Sequence, residues 1–319
     1  MPARFGIGKR QGGLFEFSGR GYPKSYRQAQ ERSNIIKSMM SLASILIASV
    51  GRWEELEHAI ESGLQQNCPS IEMIVYINGG DQAAVDKFTK RYPSVQFHQT
   101  REKIGVLKAR NFLARQAQGQ FLVFLDDDAY FLNRRSIREA VDYLNQHQEV
   151  GVVAFQILSK DGVEWGSGES RFVMPYHGAA SIIRKSTWQS IGGYPDYLFG
   201  YGVEESDFSL SVLKRGGKIF FNPAWQAFHT RSPIQREHYF ASLFANRLAF
   251  FITRSPAWLA FPALIRGMIM NIPQAIQEHA VDDYFKGFGY FLSRFFQLWK
   301  LRRPVSLKLI RTFRQLRMR

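Results

Sequence analysis

Three carboxylates stand in a row at Asp126-Asp127-Asp128, directly behind the apolar run FLVFL. Like charges this close repel one another, and a cation or a set of donors must compensate for them. Mg2+ and Mn2+ take hard oxygen ligands and commonly bind through one or two carboxylates plus substrate phosphates. A D-x-D pair can divide that work, with Asp128 on the metal and Asp126 near a ribose or the metal's waters. The plainer alternative is that these acids lead into the helix holding Ser136, Ile137 and Ala140 and favour its positive end. A second acidic group, Glu204, Glu205 and Asp207, lies in GYGVEESDFSLSVLKRGG. Helix capping explains Asp207 by itself but not three acids in four positions. Partial burial or a neighbouring like charge there would raise one carboxyl pKa and produce a general base. His229, in AWQAFHTRSP, reads either as a structural hydrogen-bonding residue or as a third ligand beside two carboxylates. Arg101, Lys103, Lys108 and Arg110 form a basic stretch, and one of them pointing into a site would neutralise a diphosphate.

The elements that must position these groups alternate along the chain. SLASILIASV reads as a first strand. The apolar run Met39 to Val50 follows basic residues as a signal core would, but serines interrupt it and no convincing cleavage site follows, so a buried strand is expected. WEELEHAIESGLQQ places Trp53, Leu56, Ile60 and Leu64 at helical spacing. IEMIVYI is a second strand ending in Asn78-Gly79-Gly80-Asp81, Val85, Phe88 and Tyr92 mark one helical face, and VQFH is a third strand. A helix is expected across roughly 106 to 117, FLVFL is a fourth strand, and KIFFNP a later one. Phe208, Val212 and Leu213 face inward on a helix that Gly216-Gly217 ends. This alternation predicts an α/β fold with a doubly wound, mostly parallel sheet. Ligands in such sheets bind beyond the carboxyl ends of the strands, where Ala48, Ser49, Asn78 and the three aspartates fall.

Charge divides the chain into three pieces. The 319 residues carry a net +15, distributed as +6 over residues 1–40, −2 over 41–230 and +11 over 231–319. A core that reads nucleic acid would hold the excess itself, so no nucleic-acid partner is expected. The single cysteine, Cys68, allows no intramolecular disulfide and no cysteine-based zinc site, which fits a reducing compartment. Residues 1–40 read as a basic irregular arm, 41–231 as the catalytic domain, and 232–319 as a helical, amphipathic, membrane-associating region. Within the last, YFASLFANRLAFFITRSPAWLAFPALIRGMIM is interrupted by Arg247, Arg254, Pro256, Pro262 and Arg266, which suits an interfacial segment better than a spanning helix. Tyr284, Phe288, Phe291 and Phe295 recur at helical spacing. VSLKLIRTFRQLRMR sets Leu309, Ile310, Phe313 and Leu316 on one face and Lys308, Arg311, Arg314 and Arg317 around another. Such a helix either lies on anionic lipid or packs its apolar stripe on the core. Attachment by charge alone would be released by salt.

Taken in order, these residues resemble the family 2 glycosyltransferases of GT-A fold over roughly residues 41–230. SILIASVGR looks like the first nucleotide-binding strand and turn, and YINGGD is similar to the second, with Ile77 where the family usually has an acidic residue. KIGVLKARN resembles the family's N-x-G-x-x-x-A-R-N segment, with Lys103 in place of the first Asn. FLVFLDDDA is close to the metal-binding strand, and GAASIIRKSTWQSIGGYPDYLFGYGVEESDFSLSVLKRGGKIFFNP follows the acceptor-side region. Glu204-Glu205 occupies the usual Glu-Asp pair, and HTRS resembles the metal-proximal histidine segment.

The resemblance implies inverting transfer of a hexosyl or deoxyhexosyl group from a nucleotide diphosphate sugar to an acceptor hydroxyl. It implies Glu205 as base with Glu204 and Asp207 beside it, and Mn2+ or Mg2+ on Asp126, Asp128 and His229. Ala48, Ser49, Arg52, Asn78, Lys108, Arg110, Asp126 and Asp127 would surround the donor, and Gly178, Ala179 and Tyr201 the sugar and acceptor. The NRLAFF, DYFKGFGYFL and RRPVS elements look like the tail of bacterial members that build surface polysaccharides. That likeness implies a glycan or lipid-linked acceptor and a cytoplasmic enzyme held peripherally against anionic lipid at the inner face of the cell membrane. Two other classes share parts of this pattern. A nucleotidyltransferase would have the sheet and the carboxylates, although Ala48-Ser49-Val50-Gly51-Arg52 lacks its Gly-rich, basic signature. A non-enzymatic membrane or nucleic-acid adaptor would use the basic flanks and leave the acids structural.

Overall fold

A computed structural model of the chain describes residues 43–231 and 239–317; the arm expected over 1–40 lies outside the described residues. The first half runs β1 (Ala43–Ser49), α1 (Trp53–Leu64), β2 (Ile71–Asn78), α2 (Gln82–Arg91), β3 (Val95–Thr100), α3 (Val106–Gln116), β4 (Phe121–Asp126), β5 (Ala129–Phe131), α4 (Ser136–Gln146) and β6 (Val150–Ser159). There follow β7 (Gly162–Trp165), β8 (Arg171–Phe172), β9 (Ala180–Arg184), α5 (Lys185–Ile191), α6 (Glu204–Lys214) and β10 (Lys218–His229). Five helices complete the described chain: α7 (Tyr239–Arg254), α8 (Ala257–Gln277), α9 (Val281–Ser293), α10 (Phe295–Lys300) and α11 (Leu307–Gln315).

The sheet order is β3-β2-β1-β4-β9-β6-β10-β5, with β7 paired to β6 and β8 to β10. β3, β2, β1 and β4 are mutually parallel, β9 runs antiparallel to both its neighbours, and β6 and β10 are again parallel. The central strands β1, β4, β6 and β9 are buried almost throughout because helices cover both faces. Alternate residues serve opposite sides. Ile45, Ile47, Val75 and Val123 meet Leu56 and Ile60 of α1 and Ile137 of α4, whereas Leu46, Ile74 and Phe124 meet Leu107 and Leu113 of α3. In α1 the expected inward position at Leu64 is solvent-facing, and Gly63 takes the buried place. A side chain there would overlap Met73, so close helix–sheet approach decides the face.

The C-terminal helices share the second of these cores: Phe240, Phe244, Leu248 and Ile252 of α7 lie in the same apolar cluster as Leu46 and Phe124. α11 is half-buried, with Phe313 and Leu316 packed on that cluster. The apolar stretch breaks only at Ser255-Pro256, and α8 continues through Pro262, Arg266 and Pro273. Among the described residues α8 is the one helix long and apolar enough to cross a membrane by length and composition, with 28% of its apolar window buried.

Candidate active site

Asp126, Asp128 and His229 converge because three strand ends do. Asp126 closes β4, where its N–H donates to Ala179 O at 2.9 Å at the start of β9. Asp128 precedes β5, and β5 pairs antiparallel with β10 so that Ala129 faces His229. Thr230 N donates to Asp128 O at 2.8 Å and fixes that register. One ligand atom from each of the three side chains lies within 4.8 Å of the others. Two hard oxygens and an imidazole suit Mn2+ or Mg2+. His229 Nε2 lies 3.3 Å from Asp128 Oδ1, off the axis of a hydrogen bond, and is buried without a hydrogen-bonding partner among the described residues. An orphaned buried nitrogen aimed at carboxylates is what a cation would satisfy, so the donor set fits one.

The remaining charges are tightly balanced. Arg52 pairs with both Asp127 and Asp128, its Nε 3.1 Å from Asp127 Oδ2. Burial raises the Asp127 pKa and the Arg52 guanidinium opposes it. Arg110, fully enclosed, pairs with Asp126 and stands 3.5 Å from Glu205 and 3.7 Å from Glu204. Glu204 and Glu205 open α6, so the two carboxylates lie beside one guanidinium. The Glu204 side chain is 0% exposed and the Glu205 side chain 16%, which leaves Glu205 as the one that can reach a substrate. Burial, together with the charge of Glu204, pushes the Glu205 pKa up to about 8 against the pull of Arg110. Gly178 gives Glu205 its room, since a methyl group there would overlap the carboxylate. Burial lowers the His229 pKa, but while no cation is bound the carboxylates of Asp128 and Glu164 overcome it and push it up to about 10; a cation taking the Nε2 lone pair would displace that second proton.

A cavity of about 250 Å3 beside these groups is lined by Ala48, Ser49, Arg52, Asn78, Lys103, Arg110, Asp126, Asp127 and Tyr201. Seven of the eight residues expected around the donor are thus brought together, with Tyr201 at the same rim. Ala179 is buried behind them, contributing its carbonyl to Asp126. Ile77 points into the core beneath the sheet, so no acid stands at that position.

Two expected site residues lie elsewhere. Lys108 faces a larger cavity, about 600 Å3, on the other side of α3 with Asn111 and Arg115, because residues three and four apart share a helix face. Lys103 occupies the donor-side position instead. Asp207 is not at the reaction centre: it pairs with Arg254 of α7 and accepts from Tyr197 Oη at 2.7 Å, in the wall of the larger cavity. The larger cavity holds none of the three cation ligands.

Sequence reasoning missed Glu164, His177 and Asn246. Glu164 Oε2 lies 3.0 Å from His229 Nδ1 and its Oε1 lies 3.6 Å from His177 Nε2, a pairing across 65 positions that no local pattern signals. Asn246 of α7 is wholly buried. Its Oδ1 accepts from Phe199 N at 2.7 Å, and its Nδ2 donates to Phe199 O, Tyr201 O and Gly202 O at 2.9, 3.0 and 3.1 Å.

The sheet has the GT-A fold, and the sequence pattern of glycosyl transferase family 2 matches residues 44–204; the chain belongs to that family. It is 29% identical over 123 residues to an uncharacterized protein of Haemophilus influenzae, covering 37% of this chain and 66% of that one. It is 24% identical over 173 residues to a Drosophila melanogaster protein named "Putative inactive polypeptide N-acetylgalactosaminyltransferase 12", covering 45% and 31%. The chain therefore spans less than two thirds of the length of either relative. Among solved structures it is similar to mannosyltransferase PcManGT from Pyrobaculum calidifontis in complex with GDP-Man and Mn2+, with 14% identity, a TM-score of 0.54 and coverage of 79% and 87%. It is also similar to GalNAc-T7 with UDP, GalNAc and Mn2+, with 14% identity, a TM-score of 0.61 and coverage of 86% and 65%. At such identities the likeness establishes the fold.

Proposed function

We propose that this chain is a metal-dependent, inverting glycosyltransferase that moves a hexosyl or deoxyhexosyl group from a nucleotide diphosphate sugar to an acceptor hydroxyl. The observation that carries the reading is that Asp126 lines the donor cavity with Lys103 and Arg110, belongs to the Asp126–Asp128–His229 cluster, and shares the Arg110 guanidinium with the raised carboxyl of Glu205. Asp126, Asp128 and His229 would hold Mn2+ or Mg2+, which supplies charge to offset that gathering on the departing diphosphate. Ala48, Ser49 and Asn78, at the ends of β1 and β2, hold the nucleotide, and Lys103 and Arg110 face its phosphates. Glu205 takes the acceptor proton as that oxygen bonds to the anomeric carbon, and the bond from that carbon to the diphosphate oxygen breaks on the opposite side. Its raised proton affinity makes Glu205 a stronger base than an ordinary carboxylate.

The acceptor in this reading is a lipid-linked glycan in surface-polysaccharide synthesis, and the enzyme sits peripherally at the cytoplasmic face of the membrane. What supports this is the +11 over residues 231–319 and the exposed apolar faces of α8 to α10. The test is a panel of nucleotide diphosphate sugars with Mn2+ or Mg2+ and purified protein. Donor-dependent release of nucleoside diphosphate is expected, lost in Asp128→Ala. Release of inorganic pyrophosphate would favour a nucleotidyltransferase, and no donor binding by calorimetry an adaptor.

A further inference from the structure

We propose that Glu164 is a positioning residue of the cation centre: its carboxylate fixes the tautomer and direction of His229 and, through His177, ties that centre to the Gly178-Ala179 turn beside Glu205. The inference rests on Asp126, Asp128 and His229 being ligands of a divalent cation.

The geometry follows from the sheet. β7 folds back on the end of β6, pairing Val163 with Leu158, and Leu158 pairs on its other side with Phe228 of β10. Glu164 falls at the irregularity between the Val163–Leu158 and Trp165–Ile157 pairs of this antiparallel turn-back, and its side chain reaches His229, the last residue of β10, with Oε2 3.0 Å from Nδ1. The Glu164 side chain is nearly buried and receives two imidazoles and the Arg231 guanidinium, the last at 3.0 Å.

Proton placement can be read from these contacts. His177 Nδ1 accepts from Ala179 N at 3.1 Å, so in the neutral ring its proton is on Nε2, the nitrogen facing Glu164. A carboxylate only accepts, so the 3.0 Å bond from His229 requires a proton on Nδ1. That leaves His229 Nε2, the atom facing Asp128, to offer its lone pair to a cation. Carboxylates that orient a ligating histidine in this way typically contribute 10–100-fold in metal affinity. The same carboxylate, by holding His177, also braces the turn whose Gly178 lies against Glu205. No motif marks Glu164, which is why the role emerges only from the fold.

The experiment is a Mn2+ titration of the full chain without donor, followed by electron paramagnetic resonance of free Mn2+, for wild type, Glu164→Ala, Glu164→Asp and His229→Ala. Glu164→Ala should weaken Mn2+ by about 10–100-fold. Long-range proton–nitrogen spectra with Mg2+ should find His229 as the Nδ1–H tautomer in wild type and as a mixture in Glu164→Ala, a change that loss of packing alone would not produce. Wild-type affinity in Glu164→Ala while His229→Ala binds weakly overturns the role of Glu164 and leaves the ligand set standing. Wild-type affinity in His229→Ala overturns the ligand set beneath it. If Glu164→Ala does not fold, Glu164→Asp decides: one methylene shorter, it draws the acceptor back from Nδ1, and an affinity equal to wild type overturns the proposal.

Discussion

Glu205 holds its proton more tightly than a free carboxylic acid because its charged form is buried next to Glu204, and a base must lose that proton to work. kcat/KM for transfer is therefore expected to rise with pH through about 8 and level off above it. Glu205→Gln should lose about 10²–10⁴-fold in turnover, keep donor binding, and abolish that limb of the profile. A limb unchanged in Glu205→Gln would assign the proton to another group. Stability gives the same sign. The folded-state pKa lies above the unfolded value, so wild type loses stability as pH rises from the ordinary carboxyl range through about 8, and the non-titrating Gln does not. The melting-temperature advantage of Glu205→Gln should therefore grow across that window. Arg52 poses the complementary case of a cation serving carboxylates. Arg52→Ala takes the guanidinium away from buried Asp127 and Asp128, which costs on the order of 3–5 kcal/mol. Because a divalent ion can replace that charge at Asp128, Mn2+ should recover more melting temperature in Arg52→Ala than in wild type. Equal recovery in the two would mean that the ion does not reach Asp128.

At the scale of elements, α7 carries a task that composition hid. Asn246 hydrogen-bonds both edges of the loop 199–202, and that loop delivers α6 through Gly202 and Val203, the latter a β-branched residue at φ 76°. Left-handed backbone at such a residue is held only by its surroundings, at a cost of about 1–3 kcal/mol. Asn246→Ala removes four hydrogen bonds and strands buried backbone groups, so a loss of about 3 kcal/mol in urea unfolding is expected, with a larger fall in kcat than in donor affinity. Unchanged kcat in a folded Asn246→Ala would separate the loop from catalysis. The strands and their order of function were legible because FLVFL, SILIAS and IEMIVYI are buried on both faces and are followed by polar turns. The Asp126–Asp128 pair and the Glu204, Glu205 and Asp207 group stood out as acids at strand and helix ends, and the resemblance to family 2 singled out Glu205 among them. Asn246 was not, since NRLAFF reads as an amphipathic helix and its partners are more than forty positions away. Lys108 and Asp207 were misplaced because a helix offers each residue more than one face, and only the fold decides: Asp207 turns to Tyr197 and Arg254, and Lys108 to the larger cavity.

For the whole molecule, the proposed attachment to a lipid surface turns on magnitudes. Most of the basic excess, +11 of the net +15, lies in residues 231–319, and each Lys or Arg near anionic lipid contributes about 1 kcal/mol, screened by salt. The helices of the same region leave Trp258, Phe261, Ile265, Met270, Phe285 and Phe296 more than half exposed. Burying such a side chain fully is worth roughly 1.5–3 kcal/mol, and salt does not weaken it. Charge would thus choose anionic vesicles and speed arrival, while the apolar face would supply the larger share of retention. The expected outcome in vesicle flotation is tight binding to anionic vesicles at low salt, a reduced but measurable fraction at 0.5 M salt, and little binding to neutral ones. Replacing Trp258, Phe285 and Phe296 by Ser should remove the salt-resistant fraction while donor hydrolysis in solution continues, because α8, α9 and α10 contribute no side chain to the donor cavity. Complete release of the unaltered protein by salt would mean that the apolar face meets something other than lipid.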